Sequence, residues 1–242
     1  MGPLAALAQP RAAAWIIGGA LLLLAPCLFT RLTLDDYVLA LKARSETVLP
    51  GVPADPLWLF TFTTGDPAQN QVLIDEGAIL PWWSDPRHLN SFFRPLSSLT
   101  HVLDFRAWPN APALMHLHSM LWYAALLWLL YGVYRSLEPE DARLSALALL
   151  MFAWDDSHGP TVGWVANRNA LVAVAVALPA LREHHRAVSQ GVRSAAFLGP
   201  LWFALALCAG ETALSIAAYL FAYALWLDPR PLARRAVSLA PY

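Results

Sequence analysis

Long apolar runs separated by short arginine-bearing segments restrict this chain more than any motif does. Residues 12–30 (AAAWIIGGALLLLAPCLFT) carry no charge. Roughly 20 such residues cross the ~30 Å hydrocarbon core of a bilayer as a helix. Residues 111–134 and 161–181 read the same way. The run 144–154 is short, about 16 Å as a helix, or half a bilayer. Residues 194–227 are apolar except around Gly210 and Glu211. One helix of that length would reach about 51 Å, so the pattern predicts a hairpin of 194–209 and 212–227. The apolar share of 58% and charged share of 14% depart from about 45–50% and 25% in soluble domains. The prediction is an all-α, polytopic helical membrane protein of about six spans, in one module.

Residues 31–110 break this pattern. DPLWLFTFTTGDPAQN and EGAILPWWSDPRHLN alternate short apolar patches with turns, so they read as one long first extracytoplasmic loop. Trp58, Trp82 and Trp83 suit a membrane–water interface. PLSSLTHVLDFRAW (95–108) has apolar residues at 96, 99, 102, 103 and 105, a helical spacing. Arg11, Arg135, Arg143, Arg182, Arg186, Arg193, Arg230, Arg234 and Arg235 all fall on the opposite side from this loop. The positive-inside rule then makes both termini cytoplasmic. Residues 12–30 lack an A-x-A cleavage site and read as a retained signal anchor. Fifteen arginines against one lysine suit a GC-rich bacterial genome, hence the inner membrane. A net charge of −1 gives no sign of nucleic acid as a partner. Cys27 and Cys208 lie in apolar runs and read as small hydrophobes.

Several polar residues stand out against this background. Asp35 and Asp36 follow span 1 directly; either suits a catalytic carboxylate, and Asp36 equally suits a helix cap. Asp155, Asp156 and His158 follow the half-length helix, which puts them below the outer surface beside a wet cavity, or else in an ordinary loop. Arg168, flanked by Asn167 and Asn169, lies inside an expected span. A charge there is paired, faces a cavity or snorkels. Arg94, in SFFRPL, suits a lipid phosphate or a plain interfacial cation. Glu211 is a turn residue or a cavity acid. His116 and His118 lack the i,i+4 metal spacing, and no HExxH, CxxC pair or Walker loop occurs; no metal ligand set is assigned.

Four segments in order carry a resemblance. LDDY (34–37), FFRPLSSLTHVLDFRAWPNAPALMHLHSMLWYAALLWLL (92–130), SHGPTVGWVANRNALVAVAVALPAL (157–181) and AGETALSIAAYLFAYAL (209–225) together resemble the N-terminal membrane half of GT-C-type glycosyltransferases. Protein O-mannosyltransferases of the transmembrane-and-tetratricopeptide branch look nearest. Two positions depart from that pattern: Gly159 separates His158 from Pro160, and Gly210 stands where a Lys is usual. Such enzymes usually have more spans, so the chain reads as a truncated form or fragment of a longer GT-C chain.

The resemblance implies a sugar moved from a polyprenyl-phosphate donor to a hydroxyl on a protein or glycan acceptor, outside the membrane. It implies Asp35 or Asp36 as base, and Arg94 and Arg168 as donor phosphate-binding residues. His158, Glu211, Asp155 and Asn167 would orient substrate. No cofactor is assigned, and a divalent metal stays open. Two other readings stand beside it: a catalytically degenerate membrane scaffold or lipid-binding subunit, and a transporter using Arg168 and Glu211.

Overall fold

The computed structural model describes residues 7–46, 52, 54–77 and 79–242. Residues 47–51, 53 and 78 of the expected outer loop lie outside that description. The chain is 68% helix, with no strand among the described residues. The all-α expectation therefore holds.

Helix α1 (Ala12–Leu24) runs into a 3₁₀ turn, Ala25–Phe29, with Pro26 near its start. Together they match the first expected span. Helix α5 (Pro112–Leu137) is the other element long and apolar enough to cross a membrane. Only 28% and 39% of these two apolar stretches are buried. Trp15, Leu22 and Trp128 point outward, whereas a helix in the core of a water-soluble domain hides its apolar stripe.

Helix α4 (Pro95–Ala107) forms where the apolar spacing predicts it. Its inward face is mixed, however. Phe105 is buried and Leu96 and Val102 pack inward, but Ser97, Ser98, His101 and Asp104 are also fully buried, while Leu99 and Leu103 are more than half exposed. Polar groups face the protein because they find partners there: Ser97 Oγ donates to the Ala209 carbonyl at 2.6 Å, and His101 Nε2 lies 2.9 Å from the Val165 carbonyl. Buried polar groups without such partners would be expensive.

Helix α6 (Ala142–Ala153) has twelve residues, about 18 Å. It stops early. Tyr123 Oη donates to the Ala153 carbonyl, and Trp154 Nε1 donates to the Ile16 carbonyl. Ile16 lies well inside the first apolar run, whose outer end is marked by Thr30 Oγ1 at 3.0 Å from His116 Nε2. Asp155, Asp156 and His158 therefore start about halfway along α1.

The expected span 161–181 is rearranged. The chain climbs through α7 (His158–Gly163), turns extended at Trp164, makes a 3₁₀ turn (Val165–Asn167), and begins α8 at Arg168. Side chains account for the break. The Asp36 carboxylate accepts the Ala166 N–H at 2.6 Å, and Asn169 Nδ2 donates to the Ala166 carbonyl. Those backbone groups are thus lost to a continuous helix. Helix α8 then runs to Ser189, through REHHRAVS, expected as a loop. A Glu183–Arg186 pair and edge-on packing of His184 against Tyr223 and Tyr242 continue it.

Helices α9 (Ala195–Leu207) and α10 (Ser215–Trp226) flank the Gly210–Glu211 break. The chain reverses there as expected: Gly210 sits against Asn169 and Ala173 at one end of α8, while Tyr223 meets His185 at the other. The two arms pack on α8 and not on each other. Ala173, Ala177 and Ala180 keep α8 thin enough for α5 and α9 to close on it.

The segment between α1 and α4 folds over one end of the α5–α8 pair. Helix α2 (Asp35–Ala43) contributes Lys42, the sole lysine. Its buried ammonium donates to the carbonyls of Trp58, Leu59 and Thr61 at 2.9, 3.0 and 2.6 Å. Burial pushes its pKa down to about 8. Helix α3 (Pro67–Asp75), capped by Asp66, places Asn70 Nδ2 on the carbonyls of Pro86 and His88. Lys42→Met would strand three carbonyls, at about 1–3 kcal/mol for each that stays dry. Amide hydrogen exchange at residues 58–63 is expected to quicken at least tenfold, roughly the effect of 1.4 kcal/mol. Exchange unchanged there would rule out the clamp.

Candidate functional site

A cavity of about 210 Å³ lies between the outer segment and the break before α8. Asp35, at the first turn of α2, and Arg94, at the residue before α4, form its charged walls. Asn167 and Asn169 line it from the turn into α8, and Phe60, Phe62, Phe92 and Trp164 supply aromatic walls. Leu34, just before Asp35, is held at φ 47°. That is an uncommon conformation for a bulky residue, and it turns the chain sharply into α2.

Asp35 and Asp36 have separate fates. Asp36 is fully buried, and both its oxygens accept backbone N–H groups, from Thr33 at 2.9 Å and Ala166 at 2.6 Å. It pins α2 to the 165–167 turn. The expectation that it could serve equally well as the base is corrected on burial: Asp36 has no exposed surface, and Asp35, not Asp36, lines the cavity. Asp35 has no side-chain hydrogen bond among the described residues and faces the cavity. Partial burial raises its pKa above the ordinary aspartate value.

Arg94 is held on three sides. Its Nε and Nη2 donate to Glu211 Oε2 at 2.8 and 2.7 Å. Its guanidinium lies 5.0 Å from the Phe60 ring centre and 4.4 Å from that of Phe92, as cation–π contacts require. Nη1 has no protein partner among the described residues. Glu211 thus orients the arginine, and the Leu96 N–H bond to the Cys208 carbonyl at 2.9 Å keeps the two segments in register.

Arg168 does not join this cavity. It is fully buried, ion-paired with Asp104. It also donates to Ser119 Oγ at 2.9 Å and the Met115 carbonyl at 2.7 Å. Its expected part as a phosphate ligand is corrected: it ties α8 to α4 and α5 and has no face open to a donor. His158 and Asp155 line a different cavity, of about 300 Å³, with Ala20, Leu23 and Leu24. His158 Nε2 is 2.8 Å from the Phe152 carbonyl, so neither residue orients anything bound beside Asp35. Asn167 lines the Asp35 cavity.

The Arg168 network was only half visible in sequence. Asp104 sits between Leu103 and Phe105, an acid inside an apolar pattern. That was the available signal that the buried arginine had a partner. His118, whose Nδ1 is 2.7 Å from Asp104 Oδ1, extends the group. His101 beside it is kept neutral by burial and by the Arg168 charge, with a pKa near 4. Asn90 and the Phe60–Phe62 segment carried no sequence signal for the cavity.

No family model, curated protein or solved structure matches this chain.

Proposed function

We propose that this chain is a membrane glycosyltransferase module of GT-C type. It moves a sugar from a polyprenyl-phosphate donor to a hydroxyl acceptor on the extracytoplasmic face. The observation that carries this reading is convergence. Asp35, Arg94 and Asn167 come from three distant segments and line one cavity, and Glu211, from a fourth, holds Arg94 in place. In this reading the chain crosses a bacterial inner membrane about six times, with both termini cytoplasmic. The outward-facing apolar side chains of α1 and α5 support membrane residence.

The chemistry follows from the residue types. Asp35 takes the proton of the acceptor hydroxyl as its oxygen bonds to the anomeric carbon. The bond from that carbon to the phosphate oxygen breaks, and the polyprenyl phosphate leaves with the electron pair. A positioned carboxylate of raised pKa suits general-base work near neutral pH. Arg94, pre-oriented by Glu211 and two phenyl rings, places positive charge beside the leaving phosphate without reorganising. The transporter alternative loses its main support, because Arg168 is locked inside the helix packing.

The direct test is donor consumption by purified protein in lipid, with a panel of labelled polyprenyl-phosphate sugars and a crude acceptor. Transfer from at least one donor supports the reading; none from any would leave the scaffold alternative. The pH dependence has a defined sign. Asp35 must be ionised to act, so kcat/KM should fall tenfold per unit as pH drops through its pKa. Burial places the midpoint of that limb above about 3.9. A midpoint at or below the ordinary value would remove Asp35 as the base.

A further inference from the structure

We infer that Asn90 and Asn167 are the specificity-determining residues of the Asp35 cavity: their carboxamides hydrogen-bond ring hydroxyls of the transferred unit and set which sugar is accepted. This inference rests on the transferase reading and adds to it the groups that recognise the sugar. Both residues line the cavity, and both depart from what their surroundings would lead one to expect. Asn167 is the N-cap of α8, where an asparagine oxygen commonly accepts an N–H from the first turn. Its side chain makes no such bond. The carboxamide oxygen of Asn90 is buried with no hydrogen-bond partner among the described residues. Native structures leave few buried polar atoms in that state, and each asks for a reason.

The backbone at both positions is nevertheless fixed. The Asn90 N–H donates to Thr63 Oγ1 at 2.7 Å, and its carbonyl accepts the Phe62 and Thr63 N–H groups at 2.8 and 3.1 Å. The Asn167 N–H donates to the Trp164 carbonyl at 3.0 Å. Two carboxamides are thus held at the cavity with their hydrogen-bonding capacity unspent. A carboxamide offers an acceptor oxygen and two N–H donors. A hydroxyl both donates and accepts, so a polyol can use both ends of it. A phosphate only accepts and belongs with Arg94. Phe60, Phe62, Phe92 and Trp164 supply flat apolar walls for the C–H face of a ring. At about 210 Å³, the cavity is smaller than the ~300–1,000 Å³ of sites for drug-sized ligands. That leaves room for one ring and not for an oligosaccharide. Asn169 plays another part: its Nδ2 donates to the Ala166 carbonyl at 2.8 Å, so it holds the turn.

The test measures equilibrium binding to the whole chain in phosphatidylcholine nanodiscs. The probes are polyprenyl phosphates carrying mannose, glucose or galactose, their monodeoxy analogues, and bare polyprenyl phosphate. The best sugar-bearing probe is expected to bind at least tenfold tighter than the bare phosphate. Asn90→Ala and Asn167→Ala should each remove at least fivefold of that preference while binding the bare phosphate as the wild type does. In the deoxy series, at least one missing hydroxyl should cost affinity in the wild type and nothing further in one of the variants. No preference in the wild type, a preference kept in both variants, equal weakening toward bare and sugar-bearing probes, or the same deoxy penalties in all three proteins would each overturn the assignment. Preference lost in the variants, with no sugar transfer by the wild type, would keep the subsite and remove the transferase. Transfer by the wild type, with the preference unchanged in both variants, would do the reverse.

Discussion

Asp35→Asn is expected to lower sugar transfer by roughly 10²–10⁴-fold, the usual worth of a positioned general base, while leaving the fold intact. The side chain faces the cavity, and no other group depends on it for a hydrogen bond among the described residues. KM for the donor should barely move, because Arg94, the proposed phosphate ligand, is held by Glu211 and not by Asp35. Asp36→Asn is the control with the opposite signature. An amide offers one acceptor oxygen where Thr33 and Ala166 need two, so that variant should lose stability before it loses chemistry. Steady-state kinetics with thermal unfolding of both proteins separates the cases. Full turnover in Asp35→Asn would end the catalytic assignment.

Asp104→Leu is expected to be the most destabilising single change, at about 3–5 kcal/mol, because it leaves a buried guanidinium without its counter-ion. Arg168 is fully buried, and its other hydrogen-bond partners, Ser119, the Met115 carbonyl and His118, carry no negative charge. The double variant Asp104→Leu/Arg168→Leu should recover much of that loss. Replacing both members of a buried pair by apolar groups is often close to neutral. The recovery is the informative part, since a packing defect alone would not reverse. Denaturant titration in a mild detergent measures it; a double variant no more stable than the single one would contradict the pairing.

Helix existence was legible in this sequence wherever apolar length dominated. Residues 12–30, 111–134 and the break at Gly210–Glu211 follow from hydrophobic runs alone, because the burial they imply does not depend on distant partners. The short run 144–154 also foretold a short helix there, Ala142–Ala153. What could not be read were choices made by contacts across the chain. The break before α8 exists because Asp36, 130 residues away, takes the Ala166 N–H; no local propensity encodes that. The spacing in 95–108 predicted a helix but not which face is buried, since an apolar stripe looks the same turned inward or outward. Arg168 stood out as an anomalous charge, yet its solution, Asp104, lies on another helix. Asp35, Arg94, Glu211 and Asn167 were each visible, but only folding shows that they meet while His158 and Asp155 stay apart.

The bond from Ala166 to Asp36 also sets an order of events during synthesis. Asp36 leaves the ribosome 130 residues before its partner, and Arg94 leaves 117 residues before Glu211. Until the stretch carrying Ala166 is made, the first turn of α2 has only its local bond to Thr33. Until Glu211 follows, Arg94 lacks its carboxylate partner. The cavity is therefore a late product of synthesis, and a nascent chain stalled before residue 166 would display the acidic pair without the pocket that separates their roles.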